Sequence, residues 1–350
     1  MAKDSTDTII NLIAVIVAVT NDVPRVLVVD QILKQAMGRG ASNADPLLGP
    51  CPFALPNGPF EPQHDDGLET GLRRWVEAQT GLDLCYVEQL YTFGNRYRDP
   101  AEIRGGPRVV SVAYIALTHE DTMGSGDSQW RDWYNFLPWE DWREGRPSVM
   151  VRHIQPKLNA WIKQAKGQSG RKQRQERVNV TFGQQSASDM DAVLCLERFE
   201  LLYEAGLVSE AVRDQHVASG DAIAPIDAAR LADFDQMGSS LAFDHRRILA
   251  TALGRLRGKL AYRPVVFELL PGEFTLLQLQ RVVEALSGAK LHKQNFRRLV
   301  INADLVEPIG RTSAIGRGRP AELFRFRREV LGEKLRIGVS RPVLRTADAK

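Results

Sequence analysis

At 350 residues, 43% hydrophobic and 25% charged, the chain is long enough for two domains with real cores and has the composition of a soluble globular protein. Its net charge of +3 hides a division: residues 262–350 hold 17 Lys and Arg against 9 Asp and Glu, while residues 1–261 hold 29 against 34. A basic C-terminal part behind an acidic N-terminal one points one end at a polyanion. Three scattered cysteines, Cys51, Cys85 and Cys195, with no CxxC pair, argue against a disulfide framework or a zinc site. The apolar run Ile9–Val19 is interrupted by Asn11, is too short to span a bilayer and lacks the basic start of a signal peptide. A buried strand, no membrane partner and a cytoplasmic protein are expected.

In chain order, Ile9–Val19 and Arg25–Asp30 read as two strands joined by a turn through Asn21, Asp22 and Pro24. Leu55–Leu82, LPNGPFEPQHDDGLETGLRRWVEAQTGL, follows: a Gly-containing turn at Pro56, Asn57 and Gly58, then an amphipathic helix that stops at Thr80 and Gly81. Val87–Phe93 reads as a strand, residues 94–107 as a charged loop, and Arg108–Leu117 as a β-branched strand. Strands on both sides of a central helix imply an α/β or α+β sandwich. The charged loop brings Asn95, Arg96, Tyr97, Arg98 and Arg104 together, a set suited to pairing with a diphosphate and stacking on an adenine. Asn57, Arg74, Phe93, Asn95, Arg96 and Arg108 are the candidate effector-binding residues. The crowded aromatics Trp130, Trp133, Tyr134, Phe136, Trp139 and Trp142 read as core or subunit contact.

Residues 143–240 look inserted, with helical apolar spacing over 149–166 and 190–207. Between them KGQSGRKQRQER, residues 166–177, reads as a solvated loop, with an auxiliary phosphate contact as the second reading. His153 and His216 are isolated. From Phe243 onward Ile248, Leu249, Ala252, Leu253, Leu256 and Leu260 form one helical stripe, with Asp244 as its cap in preference to a metal pair with His245.

Thr275 and Gln278 have capping-box spacing and open a helix over 276–287, and Ser287, Gly288 and Ala289 make a turn. A second helix over 293–302 buries Phe296, Leu299 and Val300 and shows Lys293, Gln294, Arg297, Arg298 and Asn302 on its other face. That is a helix-turn-helix whose exposed side chains are of the types that read base edges. Strands at 305–307 and 323–327, with a loop over 310–319 between them, supply a wing carrying Arg317 and Arg319. The expected DNA contacts are Thr275, Lys293, Gln294, Asn295, Arg297, Arg298, Arg317 and Arg319.

Two stretches carry a resemblance to known proteins. Leu55–Leu82 resembles the Nudix box, in which a glycine, five residues, a glutamate and seven residues precede Arg-Glu-apolar-x-Glu-Glu-x-Gly-apolar. Arg74, Val76, Gly81 and Leu82 are in place, but Trp75 stands at the first glutamate of the helix, Ala78 and Gln79 replace the Glu-Glu pair, and the loop from Gly58 to Asp66 is two residues too long. Pyrophosphate hydrolysis needs hard cations held by carboxylates, so little or no hydrolase activity, no catalytic residue and no metal are expected. The run Ala242–Phe326, with AFDHRRILATALGRLRGKLAYRPVVFELLPGEFTLLQLQRVVEALSG, NFRRLV and GRPAELFRF, resembles the C-terminal half of the Nudix-related transcriptional regulators of NAD metabolism. The long middle segment is more like their alphaproteobacterial, NadQ-type members.

The resemblance implies an α/β (α+β) chain: an N-terminal Nudix-like α/β/α sandwich with a helical insertion and a C-terminal winged helix-turn-helix. The division would be a Nudix-like effector domain over 1–145, a mainly helical insertion over 146–242, a closing helix over 243–261, the winged helix over 262–330 and a flexible basic tail over 331–350. It implies a homodimeric repressor of NAD biosynthesis or salvage genes on a palindromic duplex operator. The effector would be an adenine nucleotide (NAD, ADP-ribose or ATP), with no cofactor required. The alternatives are an active pyrophosphatase with a nucleic-acid-binding C-terminal domain, using Asp65, Asp66, Glu69 and Glu77 as metal ligands, and an RNA-binding adaptor.

Overall fold

The fold is described from a computed structural model, which describes residues 8–30, 53–96, 102, 106–120, 128–183, 191–219, 234–260, 265–313 and 320–328. Its centre is β1 (Thr8–Thr20), a strand whose alternate residues serve two cores. Leu12, Ala14 and Ile16 face one layer, and Ile13, Val15 and Val17 face the other, as the two-residue period of a strand dictates. A tight turn with Asn21 and Asp22 at positive φ returns the chain into β2 (Val23–Asp30), antiparallel to β1. Two short strands follow: β3 (Phe53–Ala54) pairs with β2, and β4 (Asn57–Pro59) pairs with β1. The Gly-containing turn expected at Pro56–Gly58 is thus drawn out into sheet, because Asn57, Gly58 and Pro59 lie opposite Ile13, Leu12 and Asn11.

Helix α1 (Leu68–Thr80) covers one face of the sheet with Leu72 and Val76 and ends at Gly81, as the sequence pattern indicates. Strand β5 (Tyr86–Phe93) is antiparallel to β6 (Arg108–Leu117), and β6 runs parallel to β1. The order is β3-β2-β1-β6-β5, with β4 added beside β1 and an unforeseen strand, β7 (Ser128–Asp132), beside β2. Trp133, Tyr134, Phe136 and Trp139 then turn inward and fill the second layer, so the aromatic cluster is core.

That layer is completed by helices. A π turn at Met150–Ile154 leads into α2 (Gln155–Lys163), followed by α3 (Gly167–Phe182), α4 (Cys195–Glu204), α5 (Ser209–Ser219) and α6 (His245–Leu260). The expectation of a loop over 166–177 is corrected here, since that run forms most of α3. Arg, Lys, Gln and Glu are good helix formers. The helix also gains from Arg174 lying over the Trp161 ring at 4.1 Å, from the Arg177–Glu204 ion pair at 2.6 Å, and from Thr181 and Phe182 buried at its end.

The C-terminal unit has β8 (Phe274–Thr275), α7 (Leu276–Ser287), α8 (Lys293–Asn302), β9 (Val306–Ser313) and β10 (Ala321–Phe326). The three strands form a second sheet in the order β8-β10-β9. Strand β9 runs further than the expected loop boundary at Gly310, because β10 continues to pair with it as far as Ser313. Phe267 stacks on Phe326 at 4.1 Å and lies 5.6 Å from Phe274, closing the sheet over a core shared with Leu279, Val283, Phe296 and Val300.

Candidate functional site

In the C-terminal unit the Thr275 hydroxyl accepts from the Gln278 N–H at 3.2 Å, and the Gln278 side-chain oxygen accepts from the Thr275 N–H at 2.8 Å. This reciprocal cap starts α7 and gives Thr275 an internal duty that its reading as a DNA contact did not include. On α8, Phe296 and Val300 are buried, whereas Lys293, Gln294, Asn295 and Arg298 are exposed and their side chains make no hydrogen bond or ion pair with any described residue. The Arg297 side chain is half-buried, and its Nε is covered without a hydrogen-bond partner. The face therefore presents donors and acceptors of the types that pair with base edges, on a helix held by a packed neighbour. Arg317 and Arg319 lie outside the described residues.

The face of α1 that carries the Nudix-box positions is built differently. The Trp75 indole packs against Gly58 so closely that a Cβ there would sit 2.2 Å from its ring, and the indole N–H donates to the Pro59 carbonyl at 2.8 Å. Gln79, one turn on, donates to the Asn57 carbonyl at 2.6 Å and accepts from the Asn57 N–H at 3.2 Å. Arg74 lies over the indole and forks onto both oxygens of Asp65, at 2.8 and 3.0 Å. The Arg74 hydrogen bond holds the Asp65 carboxyl below the usual range. Glu69 pairs with Arg73, and among the described residues no group of three His, Cys, Asp or Glu side chains gathers where a metal ion could be held. The Trp75 indole and the doubly bonded Gln79 amide fasten β4 to α1 and offer a hard cation no carboxylate.

Of the six candidate effector residues, Asn57 and Arg74 are thus engaged on the α1 face. Phe93, Asn95 and Arg96 come together elsewhere, at the end of β5, and line a cleft of about 450 Å³ with Leu196, Glu200 and Tyr203 of α4, Asp214 of α5 and Arg247 of α6. Arg108 is not among the lining residues, but it donates to the carbonyl of Gly94, which is, at 2.9 Å. Tyr97, Arg98 and Arg104 lie outside the described residues. Glu200, Tyr203, Asp214 and Arg247 were missed in the sequence because they sit more than a hundred residues from Phe93, with no local pattern to join them.

A third cluster, also missed, connects these regions. Glu140 is fully buried between Arg198 of α4 and Arg257 of α6, and Arg198 Nη2 donates to it at 2.9 Å. Arg257 continues to the end of α7, where its Nη2 donates to the Glu140 carbonyl at 2.8 Å and its Nε to the Leu286 carbonyl at 3.3 Å. Tyr134 donates from its hydroxyl to Ala285 O at 2.7 Å, and Trp142 N–H to Gly288 O at 2.8 Å. Gly288 has φ +69, and a Cβ there would meet the Glu140 carbonyl at 2.4 Å. Burial alone would raise the Glu140 pKa, but the two guanidiniums outweigh it and hold the carboxyl below its ordinary value. Cys195 beside them is pushed up to about 12 by burial and Glu140, so it is an inert thiol. Near the start of α6, His245 Nδ1 accepts from the Leu55 N–H at 3.0 Å, which makes it a structural ring.

A strand-centred sandwich covered by helix α1 on one face, joined to a helix-turn-helix with a three-stranded sheet, is the fold of a Nudix-like sandwich followed by a winged helix. Residues 266–326 match the family of the NrtR DNA-binding winged helix domain. The match covers the C-terminal unit, which is similar to the winged helix of the NrtR type. Over 86 residues, 25% of this chain, it is 41% identical to the ADPR-responsive transcriptional repressor NtrR of Acinetobacter baylyi, and the matched stretch spans 34% of that relative's length. The crystal structure of Shewanella oneidensis NrtR complexed with a 27mer DNA is similar in fold, with a TM-score of 0.50 at 21% identity, covering 91% of this chain and 93% of that one. Among the described residues no helix is long and apolar enough to cross a membrane.

Proposed function

We propose that the chain is a transcriptional repressor that binds duplex DNA through α8 and answers to an adenine nucleotide of the ADP-ribose class. The observation that carries this reading is α8 itself: a capped helix pair of the NrtR type whose second helix offers the side chains of Lys293, Gln294, Asn295 and Arg298 with no partner among the described residues. ADP-ribose is favoured over NAD or ATP by the responsiveness named for the Acinetobacter baylyi relative. The exchange of box carboxylates for Trp75, Ala78 and Gln79 supports a sensor over a hydrolase. Two copies related by a twofold axis would place two α8 helices on a palindrome with half-sites about one or two helical turns apart. The genes would be those of NAD biosynthesis or salvage, as the resemblance of Ala242–Phe326 implies, with Arg317 and Arg319 added as wing contacts to phosphate or minor groove.

The test is selection of bound duplexes from a random pool by the full chain, followed by titration of the winning duplex with ADP-ribose, NAD and ATP. The expected result is an inverted repeat whose affinity changes roughly 5- to 150-fold with ADP-ribose, the usual range of coupling between two sites. Failure to enrich any duplex, or magnesium-dependent turnover of ADP-ribose by the chain, overturns the reading.

A further inference from the structure

We propose that the nucleotide binds in the cleft between the end of β5 and helices α4, α5 and α6, not on the α1 face where the Nudix-box residues lie, and that the inserted helices complete its site. The inference rests on the proposed nucleotide response and locates it.

Three features of the cleft point to a nucleoside with a phosphate attached. Its volume of about 450 Å³ lies within the range of sites that enclose small organic ligands. At its rim Tyr91 is 54% exposed, an unusual position for a large ring, and is held edge-on against buried Phe93 at 4.9 Å. A fixed aromatic face open to solvent is a stacking platform for a base. Across the cleft, Glu200 is only partly covered, and a carboxylate has more lone pairs than its two bonds from Arg247 use, so it can accept from ribose hydroxyls. On the β5 side Arg96 is exposed and makes no ion pair or hydrogen bond with any described residue, which leaves its guanidinium for a phosphate.

Charge decides against a bare inorganic anion. Glu200 and Asp214 both line the cleft, and Arg247 is already paired with Glu200 and lies 4.8 Å over the Tyr203 ring. A small anion near those carboxylates meets repulsion. A ligand that spreads ring, diol and phosphate over several ångströms satisfies all three surfaces at once. On the α1 face, by contrast, the side chains of Trp75, Gln79, Arg74 and Asp65 are already hydrogen-bonded within the chain.

The same helices lead to the DNA-binding unit. Leu196, Glu200 and Tyr203 look into the cleft from α4, whose other side carries Cys195 and Arg198. Arg198 meets Glu140, Glu140 meets Arg257, and Arg257 holds the end of α7 at Leu286. A ligand that draws Glu200 or Arg247 toward itself pulls on the two helices that fasten α7.

The test is calorimetric titration of the full chain, as wild type, Tyr91→Ala and Arg96→Ala, with ADP-ribose and with adenosine. Both substitutions fall on exposed side chains, and an unchanged thermal midpoint confirms an intact fold. Tyr91→Ala is expected to weaken both probes roughly ten-fold or more through lost stacking. Arg96→Ala is expected to weaken ADP-ribose about ten-fold and to leave adenosine as tightly bound as in the wild type. If the wild type binds ADP-ribose and both variants bind it equally well, the assignment to this cleft is overturned while the nucleotide response stands. If the wild type binds no ADP-ribose, the effector reading falls and this location with it.

Discussion

On α1, the side chains of Arg74 and Gln79 are bound within the chain, to Asp65 and to the backbone of Asn57, whereas on α8 Gln294, Asn295 and Arg298 reach solvent without a partner among the described residues. The two helices use the same kinds of residue in opposite ways. A guanidinium or amide that has found a good acceptor inside its own chain must give up that bond before it meets anything else, at a net cost of about 0.5–1.5 kcal/mol, more for a charged group. One that has none meets a base edge or a phosphate without that loss. The contrast separates a helix face bound up within the chain from one left available for recognition.

The comparison breaks most sharply at the contact between the two units. Glu140→Gln leaves two buried guanidiniums without their counter-charge, and a loss of roughly 3–5 kcal/mol in unfolding free energy is expected, read by chemical denaturation. The pH dependence follows from the same group. The two guanidiniums hold its carboxyl below the ordinary value in the folded protein, so its contribution is present above the unfolded value and is lost as pH falls through the folded one. Wild-type stability should therefore show an acid loss beginning below about pH 4.5 that Glu140→Gln lacks, measured by denaturant midpoint against pH.

Next in size is Gly58→Ala. A methyl group 2.2 Å from the Trp75 ring forces the indole off the strand, and about 1–3 kcal/mol of stability should be lost. Affinity for the selected duplex should stay the same, because the α1 face does not read DNA. Arg298→Ala should do the reverse, weakening the selected duplex by roughly 1–3 kcal/mol if it pairs with a base. Its effect on the unfolding midpoint should fall within about 0.5 kcal/mol, as for exposed surface positions. Lys172→Ala on α3 should change stability by less than about 0.5 kcal/mol, since its ion pair with Glu176 spans 3.9 Å between well-exposed groups.

How much was legible in the sequence tracks how local the physics is. The bounds of α7 and α8 follow from Thr275, Gln278 and Gly288, which act within one turn of the helix they start or stop. Strands β1, β2 and β6 follow from β-branched runs. The two-residue strands β3 and β8 leave no periodic trace, and β7 is defined by what it pairs with, since Trp130 lies opposite Leu27. Helix α3 was obscured by its charges: its apolar residues do not form one face, and its anchors are Trp161, behind it in the chain, and Glu204, ahead of it. The cleft was half legible. Phe93, Asn95 and Arg96 are neighbours in sequence, but Glu200 and Arg247 reach them only through the packing of α4 and α6. The ion cluster was invisible, because Glu140 meets partners 58 and 117 residues away.

The central claim, that α8 meets duplex DNA with side chains the fold leaves unengaged, is tested most directly by the salt dependence of duplex binding. Fluorescence anisotropy over a series of salt concentrations would compare the wild type with a Lys293→Ala, Arg298→Ala double variant. If both side chains meet phosphates, the slope of log affinity against log salt becomes less negative by about two. If one reads a base, affinity falls at every salt concentration and the slope changes by about one. A double variant with the wild-type affinity and slope would contradict the account.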